Sequence, residues 1–390
     1  MLTQNPITAV TEADPYPFYA DLTAHRPFYR DDALGLWVAS SAGAVTAVLT
    51  SDLCRVRPLA EPVPQALLGS PAGDIFRSLI RMNDGERHDS LKRAASAAFE
   101  SIDMARVADY SSRWARFLSA EIRADAARLA QHFAFRLPVY VVASLLGVPE
   151  DKLPQTARWV GDFARCFSPV SSPDQIERGK SAAAHLLDLF RSIFATRGGL
   201  PGALSQQAGC PVGENADTIV ANAIGFLSQN TYEATAGLIG NTLLALARQN
   251  ELREQVAASP DLLRDFIKEI LRYDPPIQNT RRFLAADGVV AGERLRPGDA
   301  ILVILAATNR DPAVNPHPER FDIFRQDRRI FTFGVGAHAC LGEALAVTIA
   351  KAGVEQLLMS GIDLERLPQR PTYRPSANAR VPLFANEEDV

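Results

Sequence analysis

Apolar residues recur at spacings of three and four over most of the chain, with only short alternating runs. This predicts a mainly α-helical protein with a minor β component. Residues 14–150 read as short helices, with a strand pair at Gly35–Ala39 and Ala44–Leu49 and a proline-marked loop from Pro58 to Pro71. Asp103–Val148 is helical by its apolar spacing, broken near Pro138 and stopped at Pro149. Residues 169–173 and 209–215 are turn-rich. Asn215–Arg248 is the longest helical stretch, with Asn215 or Asp217 as its cap. Its roughly 30 residues would span about 45 Å, so its middle is expected to be buried. The next helix opens on Ser259 and Pro260, runs to Tyr273 and is stopped by Asp274-Pro275-Pro276. Gln278–Phe283 and Ala300–Leu305 read as strands around a turn at Pro297-Gly298; residues 307–330 are irregular, and Cys340 stands at the mouth of a last helix, Gly342–Leu358. With no internal repeat and no low-complexity linker, residues 1–390 read as a single domain.

Composition narrows the classes. The chain has 390 residues, 47% hydrophobic and 22% charged, which is ordinary for a globular protein large enough to enclose a ligand. A net charge of −4 argues against a nucleic-acid binder. Cys54, Cys166, Cys210 and Cys340 are far apart, which suits a reducing compartment better than a disulfide framework. The first residues show no basic segment followed by an apolar run, and no stretch reads as a membrane span, so the expectation is a cytoplasmic, unanchored protein.

The chemistry is concentrated in Phe333-Gly334-Val335-Gly336-Ala337-His338-Ala339-Cys340-Leu341-Gly342. A cysteine just before a helix meets unpaired N–H groups and partial positive charge, which stabilise a thiolate and tune a metal bound to it. Gly334 and Gly336 permit tight backbone geometry beside a flat ligand. A lone cysteine here would read as a buried thiol, and a zinc site would need two more ligands that nothing nearby suggests.

The ten-residue run resembles the cysteine-ligand signature of the cytochrome P450 family, matching at Phe333, Gly334, Gly336, His338, Cys340 and Gly342. The resemblance implies the family fold, with haem b between a long distal helix and the proximal cysteine loop, and Cys340 as the ligand of the iron. Thiolate ligation favours cleavage of dioxygen. Phe333 would shield the sulfur, and His338 would meet a haem propionate.

Other landmarks agree in order. Glu269 and Arg272 share a helix face and resemble the family's Glu-x-x-Arg pair. The resemblance assigns them, with Arg320 from the loop Pro318-Glu319-Arg320-Phe321-Asp322, to a structural ion network that holds the haem-binding core. Asp84-Gly85-Glu86-Arg87-His88-Asp89-Ser90-Leu91-Lys92 resembles the helix that contributes propionate ligands. His88 matches; Lys92 stands where an arginine is usual, which keeps charge and loses the bidentate fork. Arg282 matches a third propionate position.

The long helix departs from the family. Aligned on Leu238-Ile239-Gly240-Asn241, the oxygen-activating stretch is Asn230-Thr231-Tyr232-Glu233-Ala234. The acid is kept as Glu233. The alcohol, which in the family positions a proton-donating water, is replaced by Ala234, with Thr235 about 100° further round the helix. Asn230 and Thr231 replace the usual small pair. Three consequences are open: a substrate hydroxyl or amine supplies the donor, Asn230 or Thr231 does so, or the reaction needs no oxygen insertion.

The expectation is therefore a monooxygenase of a small or medium natural-product substrate in bacterial specialised metabolism. Its electrons would come from a separate ferredoxin and ferredoxin reductase, since no reductase domain is fused. Lys92, Arg93, Arg328, Arg329 and Lys351 could receive an acidic partner. Oxidative coupling or cyclisation is the alternative within this chemistry, a non-catalytic haem-thiolate sensor the alternative outside it, and a peroxide-driven enzyme a third. The substrate pocket would draw on Pro58–Arg81, Pro169–Gln175, Ile277–Thr280, Asn230 and Thr231.

Overall fold

The computed structural model describes residues 5–121, 126–168, 170–195, 216–368 and 370–385, with the side chains of residues 229 and 230 excepted. The first helices and strands are α1 (Tyr16–His25), β1 (Phe28–Asp31), β2 (Leu36–Ala39), α2 (Ala42–Thr50) and β3 (Cys54–Arg55). There follow α3 (Pro71–Ser78), α4 (Gly85–Glu100), α5 (Met104–Glu121), α6 (Ala126–Leu145), α7 (Leu153–Arg165) and α8 (Pro173–Ala195). The long helix comprises α9 (Ala216–Gly225), a π-helical segment (Phe226–Tyr232) and α10 (Glu233–Arg248). After it come α11 (Asn250–Ala258), α12 (Leu262–Tyr273), β4 (Thr280–Leu284), the hairpin β5 (Gly288–Val290) and β6 (Glu293–Leu295), β7 (Ala300–Val303) and α13 (Leu305–Asn309). The chain closes with α14 (Glu343–Met359), β8 (Thr372–Tyr373) and β9 (Pro382–Leu383).

Helices dominate, as expected, and the strands form a five-stranded sheet ordered β1-β2-β7-β4-β3 beside two hairpins. One predicted strand is a helix. Ala44–Leu49 lies in α2, because the Ser41 hydroxyl accepts the Ala44 N–H (3.3 Å) and starts a helix on a run too short for its period to show. The partners of β2 are instead β1, antiparallel, and β7, parallel. The hairpin β5–β6 turns on Ala291 and Gly292, both at positive φ, the backbone a tight two-residue turn requires.

Pro138 does not break its helix. It sits inside α6, which is buried along most of its length, so packing offsets the missing hydrogen bond. The expected start at Ser259-Pro260 moves to Leu262, with Ser259 and Pro260 in the preceding turn; the stop at Asp274 stands. Residues 209–215, including the Asn215 cap, lie outside the described residues; Asp217 falls in the first turn of α9.

Contrary to the hydropathy reading, Gly336–Met359 is long and apolar enough by length and composition to cross a membrane. In the fold this stretch holds the last helix, α14, which packs on α5 and α10 and buries Leu345, Ile349, Val354 and Leu357.

Candidate active site

The cysteine loop is held from α12. Thr332 Oγ1 donates to the Leu271 carbonyl (2.6 Å) and accepts from Asn309 Nδ2 (2.8 Å), while the Phe331 N–H donates to Asn309 Oδ1 (2.6 Å). The loop then closes on itself, with the Gly334 N–H donating to Phe331 O and the Cys340 N–H to Phe333 O, both at 2.8 Å. Gly334 and Gly336 adopt φ of 69° and 75°. A Cβ on Gly336 would stand 3.1 Å from the Leu49 carbonyl oxygen, so this glycine is required by both conformation and space.

Gly342 caps α14, and its N–H donates to Cys340 Sγ at 3.3 Å. Burial pushes the Cys340 thiol up, while this N–H and the nearby Lys92 ammonium pull it back. Cys340 is exposed only in the sense that it faces a cavity of about 760 Å³ between the long helix and the cysteine loop. Phe333, Gly334, Cys340 and Gly342 all line this cavity.

His88, Lys92, Arg282 and His338 line it too. His88 is buried; its Nδ1 lies 3.1 Å from Asp89 Oδ1, and its buried Nε2 has no partner among the described residues. Its ring lies 4.0 Å, centre to centre, from that of His338, whose Nε2 is 3.3 Å from Asp84 Oδ1. Burial lowers the His88 pKa and also lowers that of Arg282, whose Nη1 donates to the Arg281 carbonyl at 2.8 Å. Lys92 is placed differently from its expected role. Its Nζ donates to the Ala339 carbonyl, beside the sulfur.

The Glu-x-x-Arg pair is fully buried. Arg272 Nη2 lies 2.6 Å from Glu269 Oε1, and Arg272 donates to the Pro318 and Arg320 carbonyls, each at 2.8 Å. The expected third member is corrected: Arg320 is exposed and contributes its backbone oxygen, while Arg328 supplies the side chain, Nε to Glu269 Oε2 at 2.8 Å. Arg325 stands 3.7 Å from the same carboxylate. The sequence offers four arginines between residues 320 and 329 and no spacing rule that chooses among them.

The long helix is interrupted just ahead of Glu233 and Ala234. Phe226–Tyr232 is a π-helix, a widening that is frequent at functional sites. Thr231 Oγ1 donates to the Phe226 carbonyl five residues back (2.7 Å), so this hydroxyl is engaged by the π turn. The Asn230 side chain lies outside the described residues. Glu233, Ala234 and Thr235 line the cavity with Thr231. Glu233 Oε1 is 3.1 Å from Arg374 Nη1, and the Arg374 side chain is only 5% exposed. Arg374 comes from beside the distant β8–β9 hairpin, and nothing in its local sequence marked it.

Around the cavity, Pro58, Arg81, Ile277, Asn279 and Thr280 appear as expected, whereas no described residue of the segment 170–175 does; Phe167 and Ser168 take that place. Pro169 lies outside the described residues. The basic docking set is also revised: Arg328 is bound to Glu269, Lys92 to Ala339, and Lys351 to Glu355 (3.1 Å), which leaves Arg93 and Arg329 exposed.

These residues fit a haem. A partnerless buried imidazole nitrogen, a buried guanidinium and a second histidine suit propionate carboxylates, and a thiol backed by an N–H suits the iron. Fold and site thus define a haem-thiolate oxidoreductase.

Comparison with known proteins agrees. The family model for cytochrome P450 matches residues 241–360. The putative cytochrome P450 140 of Mycobacterium tuberculosis is 30% identical, over 87% of this chain and 81% of its own length. The 20-oxo-5-O-mycaminosyltylactone 23-monooxygenase of Streptomyces fradiae is 29% identical, over 94% and 86%. The crystal structure of CalO2 superposes with a TM-score of 0.84 at 27% identity, covering 98% of both chains. The chain belongs to the cytochrome P450 family, and its cofactor is haem b.

Proposed function

We propose that this protein is a single-domain, cytoplasmic monooxygenase of a small or medium natural product, in which the substrate helps to deliver protons. The supporting observation is the state of the cavity-lining side chains on the long helix. Ala234 has no hydroxyl, Thr231 spends its own on Phe226 O, and Glu233 is held by Arg374. A hydroxyl or amine on the substrate would complete the missing donor. The name of the Streptomyces fradiae relative, a monooxygenase of a glycosylated lactone, agrees with this substrate class.

In this reading Cys340 ligates the iron, and the bound haem supplies dioxygen activation. His88, Arg282 and His338 hold the propionates, Phe333 shields the sulfur, and the Gly342 N–H moderates its charge. Lys92 fixes the Ala339 carbonyl and so steadies the ligand loop. Glu233 would carry a proton into the cavity when it swings from Arg374. Electrons come from a separate ferredoxin and reductase that meet Arg93 and Arg329.

The test is turnover under labelled dioxygen with ferredoxin, reductase and candidate alcohols or amines. One labelled atom in the product is the expected result. Product without label would replace this reading by oxidative coupling, and ligand-induced spectral shifts without any product would replace it by a sensor. Activity with hydrogen peroxide but not with ferredoxin would point to a peroxide-driven enzyme.

A further inference from the structure

Between Phe226 and Arg248 the long helix carries several aliphatic alcohols, and the protein bonds all of them but Thr235. Ser228 Oγ donates to the Ile224 carbonyl (2.7 Å), Thr231 Oγ1 to the Phe226 carbonyl (2.7 Å) and Thr242 Oγ1 to the Leu238 carbonyl (2.6 Å). Alcohols inside helices ordinarily turn back to the preceding turn in this way. The Thr235 hydroxyl does not. It makes no hydrogen bond among the described residues, although the Thr231 carbonyl lies four positions before it.

The position is enclosed and apolar. Thr235 is only 2% exposed and lines the cavity, and its hydroxyl oxygen is not sealed from that space. Ala234 precedes it, and Leu238, three residues on, shares its helix face, so neither offers a polar group. The same stretch of helix packs on the chain after α12, where a Cβ on Gly237 would stand 2.8 Å from Pro276 Cβ. Pro276 and Ile277 extend the apolar lining from there. A hydroxyl kept in such surroundings without a partner costs stability, and folded proteins rarely retain one.

What enters the cavity can supply the missing partner, and here the inference rests on the substrate-assisted reading above. A hydroxyl has one donor and two acceptor positions. A substrate hydroxyl that accepts the Thr235 O–H therefore keeps its own proton, free to donate beside Ala234, where the alcohol is missing. An amine fits less well. It enters as an ammonium, whose charge a neutral hydroxyl cannot compensate, and Glu233 Oε1 already stands 3.1 Å from Arg374 Nη1.

We infer that Thr235 is a substrate-recognising residue and that the substrate is a neutral alcohol. Its hydroxyl accepts the Thr235 O–H, and its apolar body lies along Leu238, Pro276 and Ile277. Recognition thus sits one position along the helix from the missing alcohol, about 100° round its axis.

The experiment is calorimetric titration of the haem-loaded protein with matched probes that differ only in the hydroxyl. The pairs are 3-phenylpropanol with propylbenzene, 5-phenylpentanol with pentylbenzene, and 1-octanol with octane. In at least one pair the ratio of alcohol to hydrocarbon affinity should fall about tenfold in Thr235→Val and in Thr235→Ala. Thr235→Ser should keep the parent's ratio. Because the hydroxyl bonds nothing inside the protein, Thr235→Ala should also denature no earlier than Thr235→Ser. A ratio unchanged in every pair, failure of the alcohols to bind up to their solubility, or an equal fall in Thr235→Ser would each overturn the inference. Earlier unfolding of Thr235→Ala than of Thr235→Ser would overturn it too, by showing the hydroxyl engaged within the fold. The Ser and Ala variants carry the comparison should Thr235→Val misfold. These readouts are binding and unfolding, so they stand apart from the labelled-dioxygen test. Product without label would overturn oxygen insertion and leave the affinity ratios as they are.

Discussion

Arg328 Nε lies 2.8 Å from Glu269 Oε2 while Arg272 Nη2 lies 2.6 Å from Glu269 Oε1, so the carboxylate is held at both oxygens in a region closed to solvent. The Asp322 N–H adds a further donor to Oε1 at 3.1 Å. This knot ties α12 to the irregular chain that leads into the cysteine loop.

Removing one partner leaves a buried charge uncompensated, at a cost of about 3–5 kcal/mol. Glu269→Ala and Arg272→Ala are therefore expected to unfold at much lower denaturant and to purify with little haem. Arg328→Ala should be clearly destabilised. Arg320→Ala should fall within about 0.5 kcal/mol of the parent, since only its carbonyl is used. Chemical denaturation and the haem-to-protein absorbance ratio measure both effects.

Cys340→Ser should still fold, because the loop is closed by backbone bonds at Gly334 and Cys340 and not by the sulfur. Its reduced carbonyl complex should lack the far-shifted band of thiolate ligation. A difference spectrum against the parent decides this.

Thr231→Val tests whether the hydroxyl is a proton source or a support for the π turn. As a support it should cost about 0.5–1.5 kcal/mol in thermal or chemical unfolding and leave product formed per electron pair unchanged. Ala234→Thr should raise that coupling ratio, read as product against hydrogen peroxide released.

Gly237 packs the long helix on its neighbours. A Cβ there would meet Pro276 Cβ at 2.8 Å and the Arg380 carbonyl oxygen at 3.0 Å. Gly237→Ala is expected to destabilise by about 1–3 kcal/mol through forced backbone shifts, measured as a lowered denaturation midpoint.

Burial pushes the Cys166 thiol from its usual 9.0 to about 12. The folded state then holds a proton that the unfolded chain releases first, so this group's stabilisation is complete below about pH 9 and is lost as pH rises toward 12. The parent should lose stability more steeply than Cys166→Ala between those limits. At pH 8 a thiol reagent should label Cys166 only after unfolding.

Much of this protein was legible in its residues alone. The helical period located most of the helices, the glycine-framed cysteine stands at a helix mouth as its sequence predicts, and His88, Glu269, Arg272 and Arg282 follow one another along the chain in the order of a known architecture. These are local or strongly patterned signals, and local physics writes them directly into sequence. What the residues alone did not decide came from distant segments meeting. Arg328 rather than Arg320 completes the ion knot, Arg374 reaches Glu233 from near the other end of the chain, α2 is a helix because Ser41 caps it and the sheet recruits β1 and β7 instead, and the long helix widens at Phe226–Tyr232. Several candidates of equal chemistry stood at each of these places, and only packing and charge compensation in three dimensions chose among them.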